Sequence, residues 1–300
     1  MSKVKFGLLI VLTTFLMGSS FAVVKIGLSY SSPLLLAALR FLIAGILMAI
    51  FVYIFRRPHP KAKGGWMKMV LIGAFQTAGV MGCIFLSLRT ITAGESSILT
   101  FTNPLLVVIF ATVFLKSRYS LYQWSGVLLG LIGVGITLGA QIEFKIGIIF
   151  GLFSAVFWAI STLLVNKWGA YIDTWVLSAY QMLFGGLILL VSSLLLEKTM
   201  FIFNGNSVLI LLWLSIMSSI VQFAVWYYLL QNGDPGKTSS FLFLAPFFGV
   251  LTGWLILGDQ LYPSLIVGGL FIFTGIYLVN KRDSGAGVLS QFKMARKNTG

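Results

Sequence analysis

Charge is what this chain has least of. Charged residues make up 9% of its 300 positions, against about 25% in a soluble globular domain, so a soluble fold is excluded. Its single cysteine, Cys83, has no partner for an internal disulfide and reads as a small core residue. Its single histidine, His59, lies in the polar stretch Arg56-Arg57-Pro58-His59-Pro60 with no second ligand nearby. The acids Glu95, Glu143, Asp173, Glu197, Asp234, Asp259 and Asp283 fall at the ends of apolar runs, between them or in the C-terminal segment. An intramembrane enzyme needs a nucleophile and base, a metal cluster or a carboxylate pair at a shared depth, and none of these is spelled out. Nor is there a glycine-rich loop with its lysine for nucleotide phosphates. No metal, cofactor or catalytic residue is therefore expected.

What is present is apolar: 58% of residues are hydrophobic and the mean hydropathy is +1.00. Ten runs stand out, at about 6–28, 33–55, 66–88, 96–115, 121–140, 147–166, 174–196, 207–230, 238–257 and 263–280. Runs of this length suit membrane-spanning helices, whereas a β-barrel would show short alternating segments. Lys3 and Lys5 before the first run resemble the start of a signal peptide. The run reaches Leu28 without a clean small-x-small site, so it is read as a retained first span.

The net charge of +14 would suggest nucleic acid only if the cations formed one stripe on a soluble domain. They lie between the runs instead. With the N-terminus in the cytoplasm, Lys3, Lys5, Arg56, Arg57, Lys61, Lys63, Lys68, Lys116, Arg118, Lys167, Lys237, Lys281, Arg282, Lys293, Arg296 and Lys297 fall inside. Only Arg89, Lys145 and Lys198 fall outside, and Lys25 and Arg40 lie within spans. That asymmetry predicts ten crossings with both termini cytoplasmic in the cell membrane. Nucleic acid is not an expected partner; lipid bilayer is.

The sequence also starts twice. A shift of 141 sets Gly18-Ser19-Ser20 on Ala159-Ile160-Ser161 and Arg40 on Gln181; farther on a shift of 142 sets Gly94 on Gly236, Phe101 on Phe243, Pro104 on Pro246 and Gly133 on Gly275. Two copies follow, 1–140 with spans one to five and 147–282 with spans six to ten, then a basic tail over 283–300 read as disordered and cytoplasmic. Five spans per copy is odd, so the second copy enters from the opposite side. Inverted repeats of this kind favour a carrier, since each half can close one face while opening the other.

Gly18-Ser19-Ser20-Phe21 and Lys25 in the first span, Arg40-Phe41 in the second, Asn103-Pro104 in the fourth, Trp158-Ala159 in the sixth and Ala245-Pro246 with Leu257-Gly258-Asp259 in the ninth resemble the EamA branch of the drug/metabolite transporter superfamily. The resemblance covers about residues 6–281. Two departures stand out: Met17 where the family often has Trp, and Leu115-Lys116-Ser117 where it often has Leu-Gly-Glu. The resemblance implies a secondary transporter of a small organic metabolite, such as an amino acid, and suggests export. A passive channel or a non-transporting scaffold is the alternative.

Candidate substrate contacts follow from polar or aromatic groups at membrane depth. Arg40 and Lys25 are cations in apolar runs, which line a wet cavity or snorkel outward; if both reach the pathway, an anionic or zwitterionic substrate is favoured. Gln76 and Gln222 sit near mid-span in corresponding helices, and Asn103 lies in the fourth span. Trp158 and Tyr227 are candidate walls for an apolar moiety. Pro104 and Pro246 occupy matching positions as candidate hinges, and Glu95 is the one acid placed for possible proton coupling. The substrate, the coupling ion and the choice between monomer and homodimer are not legible.

Overall fold

The computed structural model describes residues 3–60, 63–116, 119–139, 145–169, 172–232 and 241–280, and the basic tail lies outside them. The described chain is helical, with one isolated antiparallel bridge, Ser31 to Phe201, as its only approach to a strand. In chain order α1 is Lys3–Gly27, α2 is Pro33–Ile54, and α3 joins Lys63–Gly73 and Val80–Ser87 through a π-helical turn, Ala74–Gly79. Two pieces, Ala93–Thr100 and Asn103–Leu115, make α4; α5 is Leu121–Gly139, α6 Ile146–Trp168 and α7 Thr174–Leu196. In α8, Gly205–Ser215 and Gln222–Asn232 flank a second π-turn, Ile216–Val221; α9 is Leu244–Leu257 after a 3₁₀ turn at Phe241–Phe243, and α10 is Pro263–Asn280.

Seven of these, α1 to α4 and α6 to α8, are long and apolar enough to cross a membrane, and three shorter apolar helices, Leu121–Thr137, Leu244–Leu257 and Pro263–Val279, complete the set. The sequence expectation that all ten runs suffice is thus met by seven. At about 1.5 Å per residue the shorter three fall below a hydrocarbon layer of about 30 Å.

Local chemistry explains where helices begin. Pro33 opens α2, where a missing N–H costs nothing. Asp173 caps α7 by accepting from the Trp175 and Val176 amides at 2.9 and 3.1 Å. Thr92 with Glu95 and Asn204 with Ser207 form reciprocal capping boxes on α4 and α8. The outward faces are apolar, as with Ile46, Leu47, Ile50 and Ile54 on α2 or Val191, Leu194 and Leu195 on α7. Such faces suit lipid.

The helices pair in a pattern that survives exchange of the two halves. α2 packs on its counterpart α7 and α5 on its counterpart α10, while α1 meets α9 and α8 just as α6 meets α4 and α3. Direction can be read from the contacts. Gly45 lies on Leu183 and Leu42 on Gly186, so α2 and α7 run antiparallel; Gly126 lies on Gly275 and Gly133 on Gly268, so α5 and α10 do too. Antiparallel contact between corresponding elements is what a two-fold axis lying across the helices produces. Glycine is needed where backbones touch: a Cβ on Gly133 would sit 2.6 Å from the Gly268 carbonyl, and one on Gly18 would overlap the Ala245 carbonyl.

Candidate functional site

Arg40 stands on the eighth residue of α2, about 10 Å along its axis, and is 4% exposed. It does not snorkel. Its Nε donates to Ser219 Oγ at 3.0 Å and its Nη2 to the Ser218 carbonyl and Oγ at 3.0 and 3.3 Å, while the guanidinium lies 4.8 Å from the centre of the Phe41 ring. Both serines belong to the π-turn of α8. A π-turn loosens the i→i+4 ladder, which makes the Ser218 carbonyl available to the arginine; Ser219 Oγ in turn donates to the Leu214 carbonyl at 3.0 Å. A cation at this depth costs about 2.5–3.5 kcal/mol on insertion scales. Hydrogen bonds to neutral oxygens offset part of that and leave the charge itself uncompensated. Among the described residues Arg40 has no acidic partner: the ion pair found there is Arg57 with Asp173, at 3.9 Å beyond the end of α2.

The second polar cluster lies between α3 and α6. Ser161 Oγ donates to Gln76 Oε1 at 2.6 Å, which turns the Gln76 amide nitrogen away as an unused donor. Trp158, one turn before Ser161, packs edge-on against Phe101 of α4 at 5.3 Å between centroids, and Phe101 lies 6.2 Å from Phe21 of α1. The Trp158 indole N–H donates to no described residue. Met17, at the position equivalent to Trp158, packs on the same apolar core, so the aromatic wall is one-sided. α1 links the clusters: its Leu16 carbonyl accepts from Ser218 Oγ at 3.1 Å, and its Thr13 hydroxyl donates to the Gln222 carbonyl at 3.1 Å.

The two π-turns are themselves equivalent, since residues 74–79 and 216–221 differ by the repeat offset of 142. That offset sets Gln76 on Ser218 and Thr77 on Ser219. Gln76 and Gln222 therefore sit in corresponding helices but not at corresponding positions; Gln222 opens the α-helix after its π-turn, and is 5% exposed. Sequence reading passed over Ser218, Ser219, Ser161 and Phe101. The offset that ties Ser218-Ser219 to Gln76-Thr77 was the signal that could have found the first pair.

Lys25 is in the last turn of α1, where its Nζ donates to the Ile91 carbonyl at 2.7 Å in the turn before α4. Asn103 opens the second piece of α4 and is 8% exposed. The backbone of Tyr227 lies in α8; its side chain is outside the described residues. Pro104 follows a real break: without an N–H it cannot bond the Thr100 carbonyl four residues back, and α4 is interrupted at Phe101-Thr102. Pro246 sits in the first turn of α9. His59 bonds the Arg57 carbonyl at 2.8 Å and the Tyr180 hydroxyl at 3.1 Å, beside Trp66.

Every described acid is engaged at a helix N-terminus. Glu95 accepts from the Thr92 amide at 2.8 Å, within its capping box. Asp259 accepts from the Ala93 amide of α4 at 3.0 Å, and Glu197 from the Leu35 and Leu34 amides of α2 at 2.9 and 3.3 Å. Glu197 and Asp259 follow α7 and α9, so second-half carboxylates hold first-half helices.

These features have close parallels. A family model described as the EamA-like transporter family matches residues 5–139 and again 145–281. The uncharacterized transporter YvbV of Bacillus subtilis is 29% identical over 286 residues, spanning 94% of this chain and 93% of its own. The chloroplastic WAT1-related protein At3g02690 of Arabidopsis thaliana is 28% identical over 282 residues, spanning 89% and 67%. The uncharacterized inner membrane transporter YedA of Escherichia coli (strain K12) is 26% identical over 274 residues, spanning 85% and 88%. A protein crystal structure superposes with a TM-score of 0.64 at 21% identity over 93% of this chain and 98% of that one, a likeness of fold. Family and relatives alike indicate a multi-pass membrane transporter rather than an enzyme. Matched once in each half, the chain belongs to the EamA-like transporter family.

Proposed function

We propose that this protein is a secondary carrier of the cell membrane, crossing it ten times with both termini cytoplasmic, that moves a small anionic or zwitterionic metabolite by alternating access. The observation that carries this reading is the antiparallel packing of α2 on α7 and α5 on α10. Corresponding helices that run head to foot put the halves in opposite orientations across a bilayer, the arrangement in which rocking exchanges the open face. In this reading α1–α4 and α6–α9 move and line the path, while α5 and α10 pack against each other along their glycines. Arg40, Gln76 and Trp158 contact substrate, and Pro104 serves as a hinge. Export is the direction that the family resemblance suggests. The test is counterflow in proteoliposomes preloaded with a total small-metabolite extract: a carrier gives saturable uptake that accelerates when the same solute is present on the far side. Flux that never saturates would mean a channel, and no flux a scaffold.

A further inference from the structure

We propose that the mid-membrane site takes an organic monocarboxylate with an apolar or aromatic body and no ammonium group, an inference that rests on the carrier reading above and narrows it. The argument is one of unmatched donors. Arg40 is buried with a full charge, and hydrogen bonds from Nε and Nη2 to α8 leave Nη1 without a bond to any described residue. The Gln76 amide is oriented by Ser161 so that its nitrogen is unused, and the Trp158 indole N–H has no described acceptor. A ligand that satisfies these groups brings oxygen acceptors and one negative charge.

An amino acid would also bring an ammonium, which needs a carboxylate or several acceptors. The four described acids are all committed at helix ends: Glu95 in its capping box, Asp173 on α7, Glu197 on α2 and Asp259 on α4. The backbone oxygens near the α8 π-turn each already accept a bond, and neutral carbonyls do not balance a second cation beside Arg40. The Ser218 carbonyl receives Arg40, the Leu214 carbonyl receives Ser219, and the Leu16 and Gln222 carbonyls receive Ser218 and Thr13. Among the described residues, the buried acceptors left without a partner in the spans, Ser19 Oγ and Gln181 Oε1, carry no charge. Gln181 stands where the repeat places the counterpart of Arg40, so the two halves differ here by one positive charge with no negative one added. The Trp158–Phe101–Phe21 series supplies the apolar wall.

The experiment is counterflow by the full chain in proteoliposomes with two matched sets that differ only in charge. One set is phenylacetate, phenylalanine and phenethylamine; the other is 4-methylpentanoate, leucine and isopentylamine. In at least one set the carboxylate should exchange at least about thirty-fold faster than its amino acid and amine partners, the size expected for an unpaired buried charge. Arg40→Gln should abolish that preference and Arg40→Lys should retain part of it. Because Arg40→Gln removes bonds to α8, a second variant guards against misfolding: Gln76→Glu keeps an acceptor for Ser161, and should slow the carboxylate while admitting phenylalanine or leucine. The inference is overturned if an amino acid or amine matches the carboxylate in both sets, if no probe in either set exchanges, or if Gln76→Glu leaves the ranking unchanged. Saturable exchange of the metabolite extract with any of these results leaves the carrier reading standing; absence of all exchange removes both.

Discussion

Glu197 is expected to act as the missing cap of α2, and its removal should be visible in the stability of the whole protein. Ser32 stands at the N-cap of α2 with no side-chain cap bond, and Pro33 has no N–H. The helical ladder begins at Leu36, whose amide reaches the Ser32 carbonyl at 2.9 Å. Only the Leu34 and Leu35 amides remain orphaned, and both go to Glu197, which Ser193 Oγ steadies at 2.7 Å. Hydrogen bonds to a charged group contribute about 1.5–3 kcal/mol each when buried. Here one is long at 3.3 Å and the carboxylate is half-buried, so solvent screening reduces the sum. A net loss of about 2 kcal/mol for Glu197→Ala is expected, in line with the upper range for caps, and for a chain of 300 residues corresponds to a fall in melting midpoint of about 3 °C. Cys83, the single cysteine, lies part-buried in α3 and makes a thiol-reactive dye a direct reporter of unfolding. Glu197→Gln retains one acceptor and should lose about half as much. The reasoning fails if Glu197→Ala melts within about 1 °C of the parent, or if the neighbouring Lys198→Ala lowers the midpoint equally.

Three further outcomes are expected. Gly133→Val places a side chain against the Gly268 carbonyl and should force α5 from α10, destabilising by about 1–3 kcal/mol in the same melt. Pro104→Ala restores an N–H toward the Thr100 carbonyl and should leave stability within about 1 kcal/mol of the parent, yet slow counterflow turnover without weakening half-saturation; an unchanged turnover would remove the hinge role. In a Cys83→Ser background, a cysteine at Lys198 should react with an impermeant maleimide in intact cells, and one at Arg57 only after permeabilisation; the reverse pattern would overturn the proposed orientation.

Much of the architecture was legible because it rests on periodic, local signals. Apolar runs and a constant repeat offset are written along the chain, and they placed the two copies and the acids at the ends of runs. The site was legible only in part. Arg40 stood out because a cation in an apolar run is costly wherever it points. That it would turn toward Ser218 and Ser219 was not readable, since π-turns carry no compositional mark and the partner lies 178 and 179 positions away. Gln76 was singled out by depth, but the hydroxyl that orients it is on another helix.

Membrane residence and duplication were thus determined by the sequence itself, because transfer from water to lipid depends on how many apolar residues run together and a repeat needs only self-similarity. Which polar groups are spent and which are left over was decided by tertiary structure alone. Glu197 and Asp259 stood after the runs that became α7 and α9, and only packing showed that they cap other helices, α2 and α4. Arg40 read as a charge that lines a cavity or snorkels outward until α8 set neutral oxygens against it, with no carboxylate beside it among the described residues. The balance of donors and acceptors in a site is a sum over helices that meet only when the two halves pack head to foot.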